Sequence, residues 1–345
     1  MGTAAGQAKR TIIPGRIEGM AEILAVTFPF FALVLAGYLA TRWRWLPIES
    51  ISGLNTFVLY FALPCLLYRF GSSTPIAQLL DVPLFVMYLC CALLMVGFVV
   101  MSSRNQRIGW NDASFGALVA AFPNTGFMGV PLLVALLGAS SAGPAIVSIV
   151  VDLLVTSSLC IALSRLDGAD KHGAGQAGRQ ALKGVMVNPM PWAIVLGAVT
   201  SALQMTWPAP VDKTLSLLAD AASPVALFTI GAVLARSALR AQSSDSGTLP
   251  KAMPLRDYVP IAFIKLLVHP TLVLLVGTTA MQWGARIDPF ALMVVTLVAA
   301  LPSASNVAVL SERFGADTGR IARIILLSTA AAFLTFSGFV ALLRG

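Results

Sequence analysis

The sequence predicts an all-α integral membrane protein: ten transmembrane helices in two inverted five-helix halves, the fourth and ninth helices broken near mid-membrane. Three observations carry that prediction. Hydrophobic residues make up 57% of the chain and charged residues only 11%, with a mean hydropathy of +0.85, whereas a soluble domain carries about 25% charge. Basic residues alternate between rich and poor connections, and prolines recur at matching places in the two halves.

Runs of about 20 apolar residues cross a bilayer. Ten are present, at residues 21–41, 51–69, 82–101, 113–138, 143–164, 189–206, 213–235, 258–279, 287–310 and 319–343. Barrel strands would be shorter and would alternate apolar with polar residues, which these runs do not. In order, the second carries Asn55 and Pro64, the third opens on Val82-Pro83, the fifth carries Asp152, the seventh Asp220 and Pro224, and the eighth opens on Val259-Pro260 and carries Lys265 and His269. All four cysteines lie inside spans, where cysteine acts as a small hydrophobe, so neither a disulfide framework nor a metal site follows. All six tryptophans fall at or near span ends, forming an aromatic belt.

The net charge of +8 is topological. Connections after odd-numbered spans hold fifteen basic residues, among them Arg104, Arg165, Lys183 and Arg256; those after even-numbered spans hold Arg69, Lys213 and Arg286, with Arg344 at the C-terminus. The positive-inside rule therefore makes the odd connections cytoplasmic and puts both termini outside a cytoplasmic (inner) membrane. This distribution argues against nucleic acid as a partner. Lys9, Arg10 and Arg16 oppose the orientation, and the polar lead lacks the apolar core of a signal peptide. Translation is therefore expected to begin at Met20.

The organisation reads as a polar lead over 1–19, a first repeat over 20–165, a Gly- and charge-rich cytoplasmic linker over 166–188 and a second repeat over 189–345. Pro64 matches Pro224, Val82-Pro83 matches Val259-Pro260 and Pro123 matches Pro302, in the same order in both halves. Five spans per half is an odd number, so the second half enters the membrane upside down.

The fourth span contains AAFPNTGFMGVP (Ala120 to Pro131) and the ninth AALPSASN (Ala299 to Asn306). Proline lacks the amide a helix interior needs, and a freed carbonyl is tolerated in lipid only against protein or a water-filled cavity. Paired breaks, one per half, mark secondary transporters built from repeats, with the substrate between them. Pro123, Pro131 and Pro302 are the expected helix breaks. Asn124, Thr125 and Gly126 from the first break, with Ser303, Ser305 and Asn306 from the second, are the candidate substrate residues: they offer donors and acceptors without net charge, beside half-helix N-termini whose dipoles attract a carboxylate. The alternative is that these small and polar residues only repair kinks and pack helices.

The chain from Met20 onward resembles the auxin efflux carrier family of permeases, a branch of the superfamily of bile-acid sodium symporters. The resemblance rests on FPFFALVLAGYLA, NTFVLYFALPCLL, FPNTGFMGVPLL, SPVALFTIGAVL, LPSASNVAVLSERFG and LLSTAAAFLT, in that order. It implies ten helices, a crossing of the fourth and ninth, a scaffold rocking against a transport domain, and an organic-anion substrate. The long central loop of many plant members is missing, which makes the chain similar to the short bacterial form.

Charged residues inside spans are functional candidates, since each is costly in lipid. Asp152 either takes up a coupling proton or cation, or pairs with Lys265. Lys265 is placed to snorkel partly to the cytoplasmic face, with His269 one turn later on the same side. Asn55 is a gating candidate, and Asp220 stands at the carbonyl that Pro224 leaves unbonded; for both, a structural role is the stronger reading.

These features point to alternating-access transport of small mono- or dicarboxylates, with coupling to protons or Na+ left open, no cofactor, and a homodimer as one arrangement of the partnered state. The rivals are a sensor or channel on a transporter scaffold and a membrane-embedded enzyme. Two histidines, His172 and His269, assemble neither a two-histidine metal motif nor a Ser/His/Asp set, and no phosphate-binding loop of an ATP-driven motor is present.

Overall fold

A computed structural model describes residues 20–73, 81–166, 189–243 and 254–344. The polar lead and most of the linker lie outside the described residues. Among the described residues the regular structure is helical, apart from one isolated β-type bridge between Pro123 and Ser303. The helical runs are α1 (Met20–Arg42), α2 (Ser50–Ser73), α3 (Val82–Ser103), α4 (Trp110–Ala121), α5 (Thr125–Leu137), α6 (Ala139–Leu163), α7 (Pro189–Ala202), α8 (Ala209–Ser243), α9 (Val259–Gln282), α10 (Pro289–Ala300), α11 (Asn306–Arg313) and α12 (Thr318–Arg344). Seven are long and apolar enough to cross a membrane; Thr125–Leu137, Trp192–Ala202 and Pro289–Ala300 are shorter apolar helices. Length and hydropathy together describe a multi-pass membrane protein.

Capping sets several starts. Asp81 accepts the amide of Leu84 at 3.0 Å ahead of α3, and Asp288 accepts that of Phe290 at 3.3 Å ahead of α10, each with a proline in the first turn, where its missing amide costs nothing.

Prolines inside the spans are absorbed differently. Three π turns, Val58–Ala62, Thr125–Gly129 and Ile264–Val268, each end two residues before a proline: Pro64, Pro131 and Pro270. A proline ring clashes with the carbonyl four residues back, and the wider turn places that carbonyl clear of it. Pro131 accordingly falls at the start of an α-helical stretch and α5 runs through it; the interruption in this span is at Phe122–Asn124. A fourth π turn, Asp152–Thr156, precedes no proline; the Ser157 hydroxyl donates to the Asp152 carbonyl there at 2.7 Å.

Two glycine-mediated crossings bring helix backbones into contact. On α1 and α8, a Cβ at Gly37 would overlap the Phe228 carbonyl and one at Gly231 the Val34 carbonyl. On α2 and α7, a Cβ at Gly71 would come 2.8 Å from the Ile194 carbonyl oxygen and one at Gly197 would overlap that of Tyr68. Only glycine permits this approach. An ion pair between Arg69 and Asp220 at 2.7 Å ties α2 to α8, so the Asp220 carboxylate is engaged by Arg69.

At one end of the other helices, the buried guanidinium of Arg320 (α12) donates to the carbonyls of Asp257 and Asp112, both at 2.8 Å. Its head lies against Gly116, where a Cβ would come 3.1 Å from Nη1. Asp112 in turn accepts the Asp317 amide at 2.8 Å, so the starts of α4, α9 and α12 form one hydrogen-bonded cluster.

Candidate functional site

The apolar runs over residues 113–138 and 287–310 are both interrupted, and the interruptions touch. Between α4 and α5 the chain is extended at Phe122, and between α10 and α11 it is extended at Leu301. The Asn124 amide donates to the Pro302 carbonyl at 2.8 Å, and the Ala304 amide donates to the Phe122 carbonyl at 3.0 Å. These bonds flank the Pro123–Ser303 bridge and satisfy backbone groups left free where the two helices stop. The Ser303 amide turns instead to the Ser328 hydroxyl on α12 at 3.3 Å, and that hydroxyl donates to Ser303 Oγ at 3.2 Å.

Two half-helix N-termini open from this point. On α5, the Asn124 carbonyl accepts from Met128 at 3.1 Å and from Gly129 at 2.9 Å. Gly129 packs closely against the opposite break: a Cβ there would overlap a terminal methyl of Leu301, whose side chain would have to move aside. On α11 the helix begins at Asn306. Asn124 is 3% exposed and Asn306 half-buried, and the Oδ1 of each is enclosed without a hydrogen-bond partner. Leaving a buried amide oxygen unsatisfied costs about 1–3 kcal/mol. A pair of them, one from each break and beside two positive helix ends, is an arrangement a polar ligand would complete. Gly126 borders free space: a Cβ there would meet only Leu63 of α2, at 4.0 Å.

Thr125, Ser303 and Pro302 are buried at the crossing, and Ser305 is half-buried beside Asn306. Asn55 lies two turns before Leu63 on α2, half-buried, and its backbone carbonyl accepts the Val58 amide.

Asp152 and Lys265 belong to a second polar cluster. Both are fully buried, so Lys265 does not snorkel. They are close enough for their charges to interact, yet they form no ion pair within 4.0 Å. Lys265 Nζ donates to the Ala299 carbonyl at 2.8 Å and lies 3.1 Å from His269 Nδ1. Asp152 accepts from Thr156 Oγ1 at 3.1 Å and from the Tyr88 hydroxyl at 3.4 Å. Ala299 is three residues before Pro302. Its carbonyl would bond the Ser303 amide in an unbroken helix, so Lys265 caps the negative end of α10. Sequence reasoning passed over Tyr88, although it stands six residues after Val82, as Lys265 stands six after Val259.

A profile of the membrane transport protein family matches residues 23–340. A Rhizobium meliloti protein named "Putative malonate transporter" is 28% identical over 330 residues, covering 94% of this chain and 97% of its own length. The "Uncharacterized transporter YfdV" of Escherichia coli is 27% identical over 299 residues, covering 84% and 88%. "Auxin efflux carrier component 8" of Arabidopsis thaliana is 22% identical over 266 residues, covering 62% and 72%.

Proposed function

We propose that this chain, which belongs to the membrane transport protein family that includes the auxin efflux carriers, is a secondary carrier of small mono- or dicarboxylates that works by alternating access. The observation that carries this reading is the pair of unpartnered side-chain oxygens, those of Asn124 and Asn306, at the meeting point of two half-helix N-termini. The positive helix ends attract a carboxylate, and the asparagine amides, rotated to present their NH2 groups, donate to it. Neutral donors suit a carrier, because a fixed arginine would hold an anion too firmly for rapid release. The name of the Rhizobium meliloti relative makes malonate the first probe to try.

Inverted repetition is supported by the glycine crossings. Gly37 and Gly197 are 160 residues apart, as are Gly71 and Gly231, the same offset as Pro64 to Pro224. Span one meets span seven as span two meets span six, the exchange a twofold between halves would produce. In this reading α1, α2, α7 and α8 form the scaffold and the remaining helices move past it, in a cytoplasmic membrane with both termini outside. Membership of a family of transporters supports a carrier over an enzyme. Reconstitution in proteoliposomes tests it: saturable malonate uptake with counterflow identifies a carrier, non-saturating flux a channel, and binding without flux a sensor.

A further inference from the structure

The buried cluster behind the crossing is not needed to hold the anion, and its geometry is not that of a structural ion pair. Two opposite charges enclosed for stability alone close on each other, because direct contact is what offsets their desolvation. Asp152 and Lys265 stay apart, and each is held by neutral groups: the carboxylate by the hydroxyls of Tyr88 and Thr156, the ammonium by the Ala299 carbonyl and His269. The His269 ring adds an enclosed Nε2 without a partner. The helix is also locally re-wound here. Of the four π turns among the described residues, the one beginning at Asp152 precedes no proline, and such turns mark functional positions when no steric cause is present.

We propose that Asp152 is the proton-coupling site of the carrier and that Lys265 transmits its protonation state to the crossing through the Ala299 carbonyl. This rests on the carrier reading above and names its coupling ion. With Asp152 ionised, Lys265 is shared between the carboxylate's field and the end of α10. With Asp152 protonated, the carboxylate's field is gone, and the ammonium is left with its two neutral partners, His269 Nδ1 and the Ala299 carbonyl, the latter three residues from the Pro302 carbonyl that holds Asn124. One proton taken up with a monocarboxylate cancels the net charge that would otherwise cross the membrane, and one taken up with the malonate dianion halves it.

The titratable groups facing Asp152 among the described residues are few. Tyr88 comes from α3, Cys160 from α6 itself, and Lys265 with His269 behind it from α9. From α10 the cluster receives the Ala299 carbonyl, and the residues of α10 include no titratable side chain. The acid on α4, Asp112, lies in that helix's first turn, bonded to the Asp317 amide.

Two measurements on the full-length purified protein test the proposal, the first without any substrate. An apolar carbodiimide reacts with a protonated carboxyl, so mass spectrometry of the treated apo protein should find Asp152 modified, with the yield falling roughly tenfold per pH unit above its titration. Lys265→Met should keep Asp152 reactive to the alkaline end, since no cation remains to hold the carboxylate, and Tyr88→Phe should displace the pH profile while the fold is retained. In proteoliposomes with malonate as probe, Asp152→Asn should keep counterflow and lose stimulation by an imposed pH gradient. Asp152 unmodified at every pH, or gradient-driven uptake unchanged in Asp152→Asn, overturns the proposal. If wild type shows no malonate counterflow, the carrier reading with that probe is what fails, and the labelling profile alone decides the proton site; the same holds if Asp152→Asn does not fold.

Discussion

The backbone amide of Asn124 donates to the carbonyl of Pro302 at 2.8 Å, across 178 positions of sequence, and so joins the two helix breaks into a single structural unit. Each proline stops its own helix, and backbone groups left free at one break bond to those left free at the other. The two breaks are thereby brought together, while the side-chain oxygens of Asn124 and Asn306 keep no partner within the protein.

Helix contact at the glycine crossings should be intolerant of a single methyl group. Gly37→Ala and Gly231→Ala both drive a Cβ into a backbone carbonyl, so each is expected to destabilise by about 1–3 kcal/mol, the scale of overpacking. Gly53→Ala is the control, since a Cβ there meets nothing within 4 Å. Thermal unfolding in detergent should show lower midpoints for the first two and an unchanged or slightly higher one for the third, because alanine favours a helix over glycine.

Arg320 should matter for stability more than its position near a helix end suggests. Arg320→Met leaves the carbonyls of Asp112 and Asp257 without their charged donor, at an expected cost of about 1.5–3 kcal/mol. By contrast Arg69→Met, which breaks a half-exposed ion pair with Asp220, should cost no more than about 1 kcal/mol. The same unfolding assay ranks the two variants.

The proposed orientation follows from fifteen basic residues in one set of connections against four in the other and at the C-terminus. In a cysteine-free background, a cysteine at Gly173 should resist a membrane-impermeant thiol reagent in intact cells, and one at Ser140, near the junction of α5 and α6, should react. The opposite pattern would invert the assignment.

Much of this architecture was legible because lipid leaves few choices. The seven helices long and apolar enough to cross a membrane all fall on runs that hydropathy picks out, and Pro123 and Pro302 announced the interruptions because a missing amide cannot be hidden in an apolar run. Pro131 read as a third break, yet a π turn absorbs it, since one proline can be accommodated by widening a turn and the sequence does not say which will be. Lys265 read as a snorkelling residue because its distance from the span end allows it; its burial depends on the Ala299 carbonyl, which becomes available only when α10 stops. Tyr88 was passed over because a tyrosine in a span is ordinary until a carboxylate on another helix is known to face it. Long-range partnerships of this kind follow from which helices cross, and a single sequence carries that information only through its repeats.

The central claim is that the substrate's carboxylate is bound by Asn124 and Asn306 at the crossing. The measurement that tests it most directly is calorimetric affinity, for wild type, Asn124→Ala and Asn306→Ala, of the tightest ligand found in a panel of mono- and dicarboxylates that includes malonate. Each variant is expected to bind more weakly by roughly 1–3 kcal/mol, the scale for losing a hydrogen bond to a charged group, with its apo unfolding midpoint near wild type. Unchanged affinity in both folded variants would contradict the account and leave the two broken helices a purely structural feature.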